Sequence, residues 1–150
     1  MTTISASLGR VSAMTLAAFL VTSVSAAEIG QIKVSNGQVI VERKGESLPG
    51  RVGTRLESSD VLKTGPDGSV GITMSDNSLL SAGPNSILSL DRFDFDPTSN
   101  QGRFDAQLQK GSLAVISGRI AKQSPEAMTV RTPSALLGVR GTEFVVAAND

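Results

Sequence analysis

From Ile29 onward, apolar and polar residues alternate in short runs. Ile32 and Val34 precede Asn36-Gly37, and Val39 and Val41 follow it. Val70, Ile72 and Met74 are separated by Gly71 and Thr73. Phe104, Ala106 and Leu108 alternate with polar residues, and Leu113 with Val115 repeats the pattern after Lys110-Gly111. A period of two places such residues on one face of a strand, because successive side chains point to opposite sides. Turn signals break the runs roughly every ten residues, among them Lys44-Gly45, Pro66-Asp67-Gly68, Asp76-Asn77, Gly83-Pro84-Asn85, Gln101-Gly102 and Ser117-Gly118. Asn36-Gly37 between two alternating runs predicts a tight hairpin. Beyond residue 27 no stretch keeps apolar positions at helical spacing over three turns, so no long helix is expected. The expected class is all-β, built of short antiparallel strands. A step of roughly nine residues through Val70-Ile72, Leu79-Leu80 and Ile87-Leu88 points to a twisted, solenoid-like arrangement, with a sandwich or barrel as alternatives. Asp96 to Gly102 reads as a loop.

The start of the chain follows a different pattern. Arg10 and the amino terminus give a positive start, Val11 to Val24 is mostly apolar, and small residues follow at Ser25-Ala26-Ala27. This is the pattern of a secretory signal peptide cleaved after Ala26 or Ala27. The run is too short, and too interrupted by Ser and Thr, for the about 20 apolar residues of a membrane span. Residues 1–27 are therefore expected to be a signal peptide and residues 28–150 a single all-β domain, soluble and exported.

Composition then narrows the chemistry. Leaving out Arg10 takes the basic count from 14 to 13 against 14 acidic residues, a net charge of −1. That balance argues against nucleic acid and against anionic lipid as partners. The chain has no Cys, His, Trp or Tyr. Disulfides are excluded, so stability must come from packing and backbone pairing. Ser-His and Cys-His catalysis is excluded, and the usual ligands of zinc, copper and haem are missing. No cofactor and no enzymatic activity are expected. Gly65-Pro66-Asp67-Gly68 is a turn without the Lys-Ser/Thr of a phosphate-binding loop. Carboxylate chemistry survives only at Asp91-Arg92-Phe93-Asp94-Phe95-Asp96, where Asp94 and Asp96 share one strand face and Phe93 and Phe95 the other. That pair raises calcium binding or glycosidase-type acid–base chemistry, set against a plain solvated strand end.

The most informative stretch is Thr132 to Val146. Thr132-Pro133 reads as a corner, because proline fixes its φ and donates no backbone hydrogen bond. Gly138-Val139-Arg140-Gly141 then leads into a strand on which Arg140, Thr142, Phe144 and Val146 share a face. With Phe144 and Val146 turned to the core, Arg140 is expected to be at least partly buried and to need carboxylate or carbonyl partners, with Asp60, Asp91, Asp94 and Asp96 as candidates. Two roles stand for it: a structural ion-pair partner, or a contact residue exposed by a bulge at Gly141.

Thr132-Pro133 followed by Gly138-Val139-Arg140-Gly141-Thr142 and Phe144 resembles the signature of the FecR domain, the periplasmic domain of ferric-citrate-type regulators. Earlier blocks are similar in order: Gly53 and Leu56 before Asp60-Val61-Leu62-Lys63-Thr64, then Gly68-Ser69-Val70, Met74 to Leu79, Gly83-Pro84-Asn85-Ser86 and Leu108 to Leu113. The resemblance implies a periplasmic all-β domain acting as an interaction or regulatory module on an envelope protein, with the signature residues in structural roles. Regulators of this type usually carry a sigma-factor-binding segment and a membrane helix; here a cleavable signal is expected in place of both. They also carry a C-terminal subdomain, whereas this chain runs only to Asp150, just past the signature strand. A glycan-binding or scaffolding protein is the alternative, disfavoured by the lack of Trp and Tyr faces.

Overall fold

The alternating runs become strands. The computed structural model describes Gly9, residues 20–139 and residues 143–149. Arg140, Gly141 and Thr142, and with them the expected burial of Arg140, lie outside the described residues, as does most of the expected signal peptide. The elements are β1 (Gly30–Asn36), β2 (Val39–Arg43), β3 (Glu46–Pro49), β4 (Arg55–Leu56), β5 (Val61–Thr64), β6 (Ser69–Met74), β7 (Leu79–Ala82), β8 (Ile87–Phe95), β9 (Gly102–Ile116), a short helix α1 (Arg119–Gln123), a 3-10 turn (Pro125–Ala127), β10 (Met128–Arg131), β11 (Leu136–Gly138) and β12 (Glu143–Ala148). The class is all-β, as the alternation predicts.

The strands form one 12-stranded sheet that curls around its core. Strand β9 joins the two halves of the curl. Its first half pairs with β8 on one side and, in parallel, with β10 on the other; its second half pairs with β7 and β12. One leaf therefore runs β3-β2-β5-β8-β9-β10-β11, and the other runs β4-β1-β6-β7-β9-β12. The bend falls at Gly111, where φ is +91° and a Cβ would lie 2.1 Å from Ser86 Oγ. Only glycine both adopts that conformation readily and leaves room for Ser86. Strands that switch between packed layers at such bends turn the corners of a curled sheet.

The roughly nine-residue step of the sequence appears as β6, β7 and β8, which place Ile72, Leu80 and Leu88 in a common core. Inward positions of both leaves meet there, including Val41, Leu62, Phe104, Leu108 and Val130 from one and Ile32, Val115 and Val146 from the other. Phe93 and Phe104, opposite each other on β8 and β9, pack edge-to-face at 5.2 Å. Each fully buried Leu, Ile or Phe in this cluster contributes roughly 2 kcal/mol through removal of apolar surface from water.

One expectation is overturned. Asn36-Gly37 does not close a hairpin, because β1 pairs with β4 and β6 while β2 pairs with β3 and β5. Gly37, with φ at +61°, rests on the Pro66-Asp67-Gly68 turn, and a Cβ there would meet the Asp67 carbonyl oxygen at 2.3 Å. The chain thus turns a corner between leaves instead of folding back. A register shift between Ile32 and Val34 also breaks the alternation, sending Val34 outward while Ile32 is buried. The tight hairpin falls instead at Lys44-Gly45, with Arg43 opposite Glu46.

Candidate interaction surface

The polar residues buried within the fold serve its corners. Asp60 and Thr64 bracket β5 at its two ends. The Asp60 carboxylate is fully buried and accepts from Arg43 Nε at 2.9 Å, Arg43 Nη2 at 2.7 Å and the Glu57 backbone N–H at 2.9 Å. Arg43 also reaches Glu57 Oε1 at 3.1 Å and the Arg55 carbonyl at 3.0 Å. Its hydrogen bond to Asp60 raises the guanidinium above its ordinary pKa, against the opposing pull of partial burial. Asp60, one of the carboxylates considered for Arg140, is thus occupied by Arg43. At the other end of β5, Thr64 Oγ1 donates to the Gly83 carbonyl at 2.6 Å and accepts from the Ser86 N–H at 2.9 Å, and Ser86 Oγ accepts from the Ser112 N–H at 3.0 Å. Three turns, at Gly65-Pro66, Gly83-Pro84 and Lys110-Gly111, are joined there.

A second buried carboxylate anchors α1. Asp76 accepts from the Ser78 N–H and hydroxyl and from the Ile120 N–H, at 3.0, 2.8 and 3.2 Å, while the Ser78 hydroxyl accepts from the Gly118 N–H at 3.0 Å. Asp76-Asn77 carries a turn signal in the sequence, but nothing local marks its carboxylate as the anchor of a helix some 40 positions away.

The signature residues divide in two. Thr132 is buried and closes the β10–β11 turn, its hydroxyl accepting from the Ala135 N–H at 3.1 Å and its own N–H donating to the Ala135 carbonyl at 2.8 Å. Pro133 is exposed in that turn, which is the expected corner, and Gly138 ends β11 opposite Thr129. Phe144 packs half-buried against the core from β12, and Val146 on the same face is buried. Arg140, Gly141 and Thr142 fall outside the described residues.

The acidic run does not converge. Asp94 is held by Arg92 at 2.7 Å and faces Arg103 across the strand pair. Asp96 lies in the β8–β9 loop and accepts from the Thr98 N–H and the Ser99 hydroxyl; the Thr98 contact foremost holds its carboxyl below the ordinary value. Asp91 accepts from the Ser89 hydroxyl. Among the described residues no group of three or more Asp or Glu side chains is placed to hold a metal ion. Asp94 and Asp96 line a cleft of about 670 Å³ with Phe93 and Phe95, whereas Arg92 lines a separate depression of about 230 Å³ with Arg103, Asp105 and Arg131. Across that depression Asp105 is partly buried, which pushes its carboxyl up. Hydrogen bonds from Arg103 and Thr129, with the nearby charges of Arg103 and Arg92, outweigh this and hold it below the ordinary value.

The sheet edges differ in kind. β3 carries Pro49, β4 has two residues and β11 three. Short strands and edge prolines discourage pairing with another chain. β12 has six residues, Glu143-Phe-Val-Val-Ala-Ala148, without Pro, Lys or Arg, and among the described residues only β9 pairs with it. Beside this edge the outer face of the leaf is apolar. One row across the strands reads Val34, Gly71, Ser81, Ala114, Val145, and the next reads Thr73, Leu79, Ile116, Glu143. Val34, Leu79, Ile116 and Val145 are 51, 42, 43 and 72% exposed, and Val34, Leu79 and Ile116, with Gly71, Ser81 and Ala114 between them, line a trough of about 320 Å³ that also reaches Lys33 and Glu143. An open strand edge next to an apolar trough offers backbone N–H and C=O groups for a ladder and a surface for alternate side chains.

A curled all-β module whose β12 edge is unpaired among the described residues is the class that fold and surface define. A model of the family described as FecR protein matches residues 60–150, more than half of the chain, and the chain belongs to that family of regulatory modules. The match opens at Asp60 and takes in β5 to β12, while Gly53 and Leu56 precede it. No curated protein and no solved structure matches the chain. No helix among the described residues is long and apolar enough to cross a membrane.

Proposed function

We propose that this chain is a non-enzymatic interaction module of the FecR type, exported to the periplasm with residues 1–27 removed and residues 28–150 forming the domain, and that it regulates an envelope protein by strand pairing along β12. The observation that carries this reading is the β12 edge: six residues long, free of Pro and basic side chains, and reached at Glu143 by the apolar trough that Val34, Leu79 and Ile116 line. An added strand satisfies backbone groups along the edge, and its outward side chains lie beside Glu143, Val145 and Ala147. A glycan-binding role has weaker support. The cleft at Asp94 and Asp96 has both carboxylates tied up locally, and the Phe93 ring is buried edge-on against Phe104, offering no open face for a sugar.

Site-directed photo-cross-linking in the living cell tests the proposal. A photoreactive residue at Ala147, exposed on β12, is expected to capture an envelope protein that the same residue at the exposed Val52 does not. Equal capture from both positions, or none from Ala147, would refute pairing at β12. Mass analysis of the exported chain is expected to show a start at Ala27 or Glu28.

A further inference from the structure

We infer that β12 also pairs with β12 of a second copy of this chain, antiparallel about a twofold axis at Val145, so that the protein covers the edge that no described strand covers until a partner strand displaces it. This rests on the reading of β12 as a pairing edge. Residues directly opposite in an antiparallel pair lie on the same face. An axis at Val145 therefore sets Val145 against its own copy, Phe144 against Val146, and Glu143 against Ala147. No like charges meet. An axis at Glu143 would oppose two carboxylates and leave most of the strand unpaired, and an axis at Val146 would set Val145 only against Ala147.

Three features favour a copy of this chain as occupant. Val145 is the most exposed large apolar residue in any described strand, and the axis buries it against an equally apolar surface. Phe144, half-buried in a single copy, gains cover from Val146 of the other. The outer row that ends at Val145 continues through Val145 of the other copy into that copy's row, so exposed apolar residues of both copies share one face. The edge needs a strand with apolar residues on both faces and no charge at its centre, and β12 is itself such a strand. The contact covers few residues per chain, so the dimer is expected to be weak and concentration-dependent.

Sedimentation velocity on the protein produced from the whole chain, over a dilution series, reads this directly. The wild type is expected to pass from monomer to dimer as concentration rises. V145K and V145E are each expected to stay monomeric, because like charges then meet at the axis, while an equimolar mixture of the two recovers the dimer. Val145 points outward, so both variants should keep the wild-type unfolding midpoint. A wild type monomeric at every concentration, a V145K dimer equal to the wild type, or a mixture that stays monomeric would each overturn self-pairing. Cross-linking from Ala147 to a different protein would still support the regulatory reading in any of these cases, so the two failures are separable.

Discussion

Removing the guanidinium of Arg43 tests whether the corner at β5 is held electrostatically. The Asp60 side chain is 1% exposed and its two oxygens take Arg43 Nε and Nη2 at 2.9 and 2.7 Å, while the Arg43 side chain is 24% exposed. In Arg43→Met the aliphatic stem is kept, and Asp60 retains one donor, the Glu57 N–H. An uncompensated buried charge of this kind costs roughly 3–5 kcal/mol. The value should fall near about 3 kcal/mol, because water reaches the Arg43 side of the pair and can hydrate the exposed carboxylate edge. With a urea slope of about 1.5 kcal/mol per molar, the unfolding midpoint should drop by about 2 M. Asp60→Ala should cost less, since Arg43 keeps Glu57 and solvent. The double variant Arg43→Met/Asp60→Ala should then be more stable than the sum of the two single losses implies, by about 1–3 kcal/mol of coupling. Urea unfolding followed by circular dichroism gives all three values. An unchanged midpoint in Arg43→Met, or strictly additive losses, would refute the assignment of this pair as the lock of the corner.

Three further perturbations test other parts of the argument. Asp76→Ala removes the acceptor for the Ser78 N–H and hydroxyl and the Ile120 N–H, and should destabilise by about 3 kcal/mol through stranded buried donors; a loss below about 1 kcal/mol in chemical denaturation would contradict its role as the anchor of α1. Gly111→Ala forces a side chain into the space of Ser86 at a φ of +91°, so a loss of at least about 2 kcal/mol is expected, and a neutral Gly111→Ala would show that β9 does not bend there. The lowered pKa of Asp105 means its folded-state interactions stabilise the protein above the unfolded carboxyl value and are lost as pH falls through the folded one. Asp105→Asn should therefore flatten the acid limb of the stability–pH curve without changing its slope near neutrality, and an acid limb identical to wild type would rule that contribution out.

Much of the sheet is legible in the sequence because alternation reports which side of a strand is buried. Val70-Ile72-Met74, Phe104-Ala106-Leu108 and Leu113-Val115 all face the core as their period requires. Pairing is not legible in the same way. Asn36-Gly37 carries the strongest local hairpin signal in the chain, yet the contact that decides its conformation is with Asp67, some 30 residues on. A local turn signal says that the chain changes direction, and only the partner strands say where it goes. The buried carboxylates were hidden for the same reason. Asp60 reads as a candidate for Arg140, but its partner Arg43 lies upstream, in a strand whose neighbours could not be inferred from residue pattern. Helix α1, five residues long, is too short for a periodicity signal.

The residues that carry the resemblance and the surface proposed to act are largely different sets, and the fold explains why. Asp60, Thr64, Asp76, Ser78, Ser86 and Thr132 sit where the chain crosses between leaves or closes a turn, each in a hydrogen-bond geometry that few other side chains could satisfy, and at Gly83 and Gly111 a Cβ would run into a neighbouring serine. Such positions constrain residue type strongly and leave a readable pattern. An edge strand imposes far less: pairing at β12 uses backbone groups and asks only for a strand free of proline and of charge at its centre. Phe144, the described signature side chain on β12, faces inward, and the outward residues Val145 and Ala147 carry no motif. Corner variants should therefore lower the stability of the fold, and every interaction with it. Variants at Val145 should keep the fold and lose only pairing, and that separation is what an interaction module built on a rigid curled sheet requires.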